Sequence, residues 1–323
     1  MTELKQAAGL HFKSVAYTSL KPGPRVIILG AVHGNETCGT QAIQRVLAEI
    51  DGGQLHIAAG SVTFVPVANP LAYARGERAG ERNLNRNLYP NAQPDDFEDQ
   101  IANWLCPLLA QHEVLLDLHS FHTAGDPFVM LGPENNSGTL EPFAHAAEEV
   151  ALARSLGVRR FVDGWLDTYA RGVERRMRSA AGQVVLNADP RYGVGTTEYM
   201  RTVGGYGLTL ECGQHEAPEA PEVAYQAIHN ALAFLGVIEK ARPEPVTDTE
   251  ALHLFDVIDK DHAADTFVRE WASFDRLSQG ELIGTRHDGT PVTAECDSFI
   301  LFPNPRAGAR EEWFYLARAS QRV

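Results

Sequence analysis

Short, unbroken apolar runs alternate along residues 24–240 with longer stretches whose apolar positions recur at helical spacing. Unbroken runs suit strands buried on both faces, and a period of about 3.6 residues suits the helices that cover them. The pattern predicts an α/β layer architecture. Arg25 to Gly30 reads as a buried strand, and Thr37 to Ile50 as a helix with Ala42, Val46, Leu47 and Ile50 inward. Val62 to Ala68 reads as a second strand, stopped by Asn69-Pro70. Asp95 to Gln111 gives the clearest helix, with Phe97, Ile101, Trp104, Leu105, Leu108 and Leu109 on one face. Val114 to Leu118 reads as a strand ending at His119, and Phe128 to Leu131 as another. Pro142 to Ser155 and Val223 to Leu235 read as helices, and Leu208 to Cys212 as a strand. Asp163 to Tyr206 is Arg- and Gly-rich with weak periodicity, so loops and short elements are expected there.

Lys240 to Thr249 carries two prolines and mixed charges, which marks a linker. Beyond it the pattern changes to short alternating runs, with Asp288-Gly289 as a hairpin turn signal. The expected organisation is a catalytic domain over residues 1–240 and a small β-rich domain over residues 250–323.

Composition narrows the class. The 323 residues carry a formal net charge of −14, which argues against nucleic acid or an anionic membrane as a partner. A small anionic substrate stays compatible, because a pocket can be locally basic. No apolar run reaches the length of a membrane span, and Met1 to Ser14 has no signal-like apolar core. The expected location is the cytoplasm. Cys38, Cys106, Cys212 and Cys296 form no CxxC pair and read as core thiols.

Candidate chemistry gathers at strand ends. His33-Gly34-Asn35-Glu36 follows the first buried run, and His119 follows Val114 to Leu118. Two imidazoles and a carboxylate suit zinc and leave a coordination position open. Asp117 lies two residues before His119 and would point the same way along a strand, as a partner for the imidazole. His122 and His215 are competing histidines that lie beyond the strand ends. Glu211 ends another apolar run. Such a Glu is either a buried ion-pair partner or a general base beside activated water. Between Arg75 and Arg86 lies the densest arginine segment. Arg75 and Arg82 read as a solvated face, whereas Arg78 suits an oxyanion, and Asn85 with Arg86 suits a substrate carboxylate.

His33-Gly34-Asn35-Glu36, Leu84-Asn85-Arg86, Asp117-Leu118-His119 and the later Glu211 resemble the succinylglutamate desuccinylase/aspartoacylase family, related to the zinc carboxypeptidases. The resemblance covers about residues 25–240. It implies a carboxypeptidase-like mixed sheet flanked by helices and a β-rich C-terminal domain. It also implies one zinc ion on His33, Glu36 and His119, with Glu211 as base. It implies Arg78 as the oxyanion-polarising arginine and Asn85 with Arg86 as the carboxylate-holding pair. Arg201 matches, more loosely, a substrate-side-chain arginine. The chain departs from the family at Asn83, where an Asp is usual, and at Cys212 after the base. The family's substrate-contacting tyrosine has three candidates here, Tyr192, Tyr199 and Tyr206.

The expected activity is zinc-dependent hydrolysis of an N-acyl amino acid or a similar small amide. A carboxypeptidase acting on small peptides is the alternative within enzymes. A non-catalytic metal or small-ligand binder is the alternative outside them. Homo-oligomerisation stays open, since the C-terminal domain could narrow the pocket or form a subunit contact.

Overall fold

In chain order the strands are β1 (Val15–Thr18), β2 (Arg25–Gly30), β3 (Ser61–Val65), β4 (Val114–Phe121), β5 (Phe128–Met130), β6 (Arg160–Asp163) and β7 (Tyr206–Gln214). Then come β8 (Glu250–Asp259), β9 (Thr266–Phe267), β10 (Arg276–Leu277), β11 (Leu282–Thr285), β12 (Pro291–Thr293), β13 (Ser298–Leu301) and β14 (Glu312–Ala319). The helices are α1 (Cys38–Asp51), α2 (Pro70–Arg75), α3 (Phe97–Leu109), α4 (Ala146–Ala153), α5 (Trp165–Ser179), α6 (Thr196–Thr202) and α7 (Ala220–Phe234). The structure is a computed structural model that describes residues 10–179 and 189–323.

One large mixed sheet runs in the order β1-β3-β2-β4-β7-β5-β6-β8-β14-β13-β10, and β12-β11-β9 form a small second sheet. Its centre, β3-β2-β4-β7, is parallel. Val26 and Ile28 of β2 pack into the layer of α1 and α7, while Ile27 and Leu29 pack against α3 and α6. This two-sided burial is why the strand is apolar at every position rather than alternating. From β2 the chain moves outward to β3, then returns past β2 to β4. The strand order therefore reverses between β2 and β4, where open α/β sheets collect their ligands beyond the carboxyl ends.

Glu250–Asp259 joins the large sheet by parallel pairing with β6, and β14, β13 and β10 extend it. Phe121, Phe128 and Val162 share one apolar cluster with Leu252, Leu254 and Tyr315. The Asp288-Gly289 turn joins β11 to β12, with Gly289 at φ +88°.

Four expectations are corrected. The strand expected to end before His119 continues to Phe121, so His119 lies inside β4. The helix expected from Pro142 begins at Ala146. The segment expected to be loops contains α5, whose Leu166, Tyr169 and Val173 are buried at helical spacing. That stripe is narrow, and the polar face is held by ion pairs of Arg175 with Asp256 (2.7 Å) and Arg176 with Asp259 (2.7 Å). Those partners are far off in sequence, so local pattern does not reveal them. Residues 180–188 of that segment lie outside the described residues. Finally, Cys296 is exposed, whereas Cys38, Cys106 and Cys212 are buried. No helix among the described residues is long and apolar enough to cross a membrane.

Candidate metal centre and cavity

After β2 the chain turns sharply at Ala31, whose φ of 47° is left-handed, a strained setting for a residue with a Cβ. Gly34 follows at a contact that admits no side chain, since a Cβ there would lie 2.0 Å from the Ala72 carbonyl carbon. These two features seat His33 and Glu36 over the end of β4. His33, Glu36 and His119 are all buried, and one ligand atom from each lies within 4.8 Å of the others. His33 Nδ1 is 2.8 Å from Glu36 Oε1, and His119 Nδ1 is 2.8 Å from Glu36 Oε2.

The far nitrogens are already occupied. His33 Nε2 donates to Asn83 Oδ1 (3.0 Å), and His119 Nε2 donates to Asp117 Oδ2 (2.8 Å). Thr196 Oγ1 also donates to Asp117 Oδ2. Both imidazoles thus turn Nδ1 toward Glu36. His33 Nδ1 is buried without a hydrogen-bond partner, an orphan that a cation would satisfy. Burial, aided by Arg78, pushes the His33 pKa down to about 4, which keeps its lone pair available. Burial also opposes charge on His119, but Asp117 and Glu36 outweigh it and raise that pKa. A divalent cation can replace the proton they attract. Two nitrogens and one carboxylate, each imidazole oriented from behind, form a donor set that could hold a metal.

Glu211 stands in β7 directly opposite His119 in the register. Its Oε2 is buried and unpartnered, and burial, then the charge of Glu36, lifts its pKa to about 8. Arg78, half exposed, reaches Glu36 Oε1 at 2.7 Å. Asn85 accepts from Thr196 N (3.0 Å) at the start of α6. Arg86 lies over the Trp165 ring at 4.6 Å and donates to the Asn85 carbonyl (2.8 Å). Glu211, Arg78, Asn85 and Arg86, with His33 and His119, line a cavity of about 1460 Å³.

The remaining candidates divide. Arg201 lines the cavity, but its guanidinium is committed to Glu149, Glu141 and the Gly207 carbonyl. Arg82, expected in solvent, is instead half-enclosed and pairs with Asp96 (2.8 Å) and Asp99 (2.7 Å). His122 and His215 line the cavity outside the three-ligand group. His122 donates to the Pro303 carbonyl, and His215 Nδ1 pairs with Ser120 Oγ. Among Tyr192, Tyr199 and Tyr206, none lines the cavity; Tyr199 is packed against the α3 layer. The cavity's tyrosine is Tyr315 of β14, whose buried hydroxyl lacks a hydrogen-bond partner. It escapes a sequence reading because it comes from a remote β-strand with no motif around it.

Residues 22–152 match the family model of the succinylglutamate desuccinylase/aspartoacylase catalytic domain. The chain is similar to that family. The family is one of deacylating hydrolases. Among solved structures, a succinylglutamate desuccinylase/aspartoacylase from Rhodobacter sphaeroides superposes with a TM-score of 0.72 at 18% identity, over 96% of this chain and 90% of that one. The ectoine utilization protein EutE (DoeB) from Ruegeria pomeroyi gives 0.68 at 18% identity, over 94% and 88%. A succinylglutamate desuccinylase from Vibrio parahaemolyticus gives 0.68 at 17%, over 95% and 86%. At such identities these likenesses concern the fold. No curated relative matches the chain.

Proposed function

We propose that this protein is a cytoplasmic, zinc-dependent deacylase that hydrolyses the amide bond of an N-acyl amino acid or a similar small carboxylate-bearing amide. The observation that carries the reading is the convergence of His33, Glu36 and His119 beside an unpartnered carboxylate oxygen of Glu211. His33 Nδ1, Glu36 and His119 Nδ1 would hold the zinc. When bound, zinc supplies Lewis acidity, which makes water nucleophilic near neutral pH and polarises the scissile carbonyl.

The chain's own groups do the rest. Glu211 takes the proton of the attacking water at Oε2 and returns it to the departing amine. A nearby cation lowers the carboxyl pKa that burial has raised, so that Glu211 can act as a base at neutral pH. Arg78 stabilises the negative charge that develops on the carbonyl oxygen. Asn85 and Arg86 receive the substrate carboxylate, and the stacking of Arg86 on Trp165 fixes the plane of its guanidinium. The cavity is roomy enough for a dipeptide, which supports a small-peptide carboxypeptidase as the second reading.

Metal analysis with a screen of N-acyl amino acids and dipeptides tests both readings. Glu211→Gln is expected to bind zinc stoichiometrically and to lose at least about 10³-fold in kcat. Normal turnover by that variant removes Glu211 as the base, and zinc-free active protein removes the metal.

A further inference from the structure

Resting on the deacylase reading, the structure assigns the substrate a charge class. Glu211, Thr209 and Gly207 share one face of β7, and Arg201 Nη2 donates to the Gly207 carbonyl (2.8 Å). Arg201 therefore stands four residues, roughly 13 Å, along the strand from the base, at the deep end of the cavity. Thr209, Glu198 and Arg201 line that end.

The Arg201 fork is largely committed. Nε and Nη2 both donate to Glu149 Oε2 (3.1 and 2.9 Å), Nη1 donates to Glu141 Oε1 (2.7 Å), and Glu198 Oε1 lies 3.7 Å from Nη1. A guanidinium has five N–H groups in a fixed plane; four are used here, and the fifth, on Nη1, has Glu198 near it. Three carboxylates thus face one cation in a buried setting. The burden shows in Glu141, whose pKa burial lifts to about 7 despite Arg201, and in Glu149, which is raised as well.

The carboxylate-binding pair lies beside this cluster: Asn85 Oδ1 accepts from Thr196 N (3.0 Å), next to the Gly195 N–H that Glu198 accepts, while Arg86 stacks on Trp165 near the unpartnered Tyr315 hydroxyl. One carboxylate has a place to go. A second is poorly served: of the cavity's other arginines, Arg78 reaches Glu36 (2.7 Å), Arg269 is paired with Asp275 (2.9 Å), and Arg306 is exposed to water.

We propose that the enzyme acts on monocarboxylate amides: Arg86 with Asn85 takes the single carboxylate, and the floor of Glu198 and Arg201, the latter held from behind by Glu141 and Glu149, admits a neutral or cationic group and turns away a second carboxylate. Rejection follows from desolvation and repulsion, because a carboxylate entering this floor gives up water and meets Glu198 beside a guanidinium whose charge Glu141 and Glu149 already offset.

The test compares Nα-acetylglutamine, Nα-acetylornithine and Nα-acetylglutamate with zinc-loaded enzyme. The neutral and cationic compounds are expected to exceed the dianion by at least tenfold in kcat/KM. Calorimetric binding to Glu211→Gln protein, which does not depend on turnover, is expected to show the same order. If none is hydrolysed but binding keeps this order, the deacylase reading falls and the charge assignment stands. Equal or tighter binding of acetylglutamate, or no binding by any of the three, overturns the assignment. Glu198→Gln retains an amide oxygen for the Gly195 N–H that Glu198 now receives (2.9 Å). With the fold so preserved, its neutral-to-anionic ratio should shrink at least threefold, and an unchanged ratio overturns the role of the floor.

Discussion

Asn83 gives His33 a neutral hydrogen-bond partner, whereas His119 has the carboxylate of Asp117. A carboxylate behind an imidazole raises its basicity toward a metal more than an amide does. The same Asn83 Oδ1 accepts from Asn85 N (2.9 Å), so one side chain ties a metal-ligand candidate to a substrate-binding candidate. Asn83→Ala should weaken zinc affinity by roughly 10–100-fold. Asn83→Asp should strengthen it instead, since the partner becomes charged. Competition titration against a chelating dye measures both, and equal affinity in all three proteins would show that Asn83 does not govern His33. The ligand candidates and Glu211 were legible in the sequence because ligand-type residues interrupt or directly follow otherwise apolar runs, even though His119 and Glu211 lie inside their strands. Tyr315 was not legible, since it lies in a run of five consecutive buried residues, Trp313 to Ala317, and reads as one more core aromatic.

Among the elements, the first turn of α3 organises the arginine segment. Glu98 is fully buried and accepts from Asn69 Nδ2 (2.9 Å), Gly80 N (3.0 Å), Glu81 N (3.2 Å) and Arg82 N (3.2 Å). Asp96 caps the helix by accepting from Asp99 N (2.7 Å), and Arg82 grips Asp96 and Asp99. Acidic residues are favoured at this helix end, and here they also hold the loop that presents Arg78, Asn85 and Arg86. The period of α3 was readable, but nothing local shows that its capping acids reach back to the preceding loop. Removing the Glu98 carboxylate strands several buried donors. Glu98→Ala is expected to lower stability by about 3 kcal/mol and to raise KM for carboxylate-bearing amides. Denaturant melts and steady-state kinetics measure the two effects, and a stable variant with unchanged KM would refute the organising role.

At the scale of the whole molecule, pairing of β8 with β6 and the cluster joining Phe121 and Phe128 to Leu252, Leu254 and Tyr315 knit the C-terminal strands to the metal-centre half. The sequence showed a linker and a change of pattern there, but strand pairing across it depends on edges that only the assembled sheet possesses. A defect in the C-terminal part should therefore lower the melting of the whole. Asp265 offers the cleanest one. Its side chain is fully buried and accepts from Asp261 N (2.8 Å), His262 N (3.2 Å), His287 N (2.8 Å) and Arg286 Nη1 (3.0 Å). Burial disfavours its charge, but Arg286 and these N–H groups prevail and hold the carboxyl well below the usual range. The unfolded value is about 3.9, so the stability this group contributes is complete at neutral pH, begins to decline as pH falls through about 4, and is gone only below the lowered folded-state pKa. Asp265→Asn is expected to cost about 1–3 kcal/mol at pH 7, and less with each step into acid. Melts followed by tryptophan fluorescence and by circular dichroism should coincide in one transition lowered by several degrees. A separate early transition would mean that the C-terminal strands unfold on their own, and a difference that does not shrink at all as pH is taken from 5 to the lowest value the fold survives would mean that the carboxylate's charge is not what Asp265 contributes.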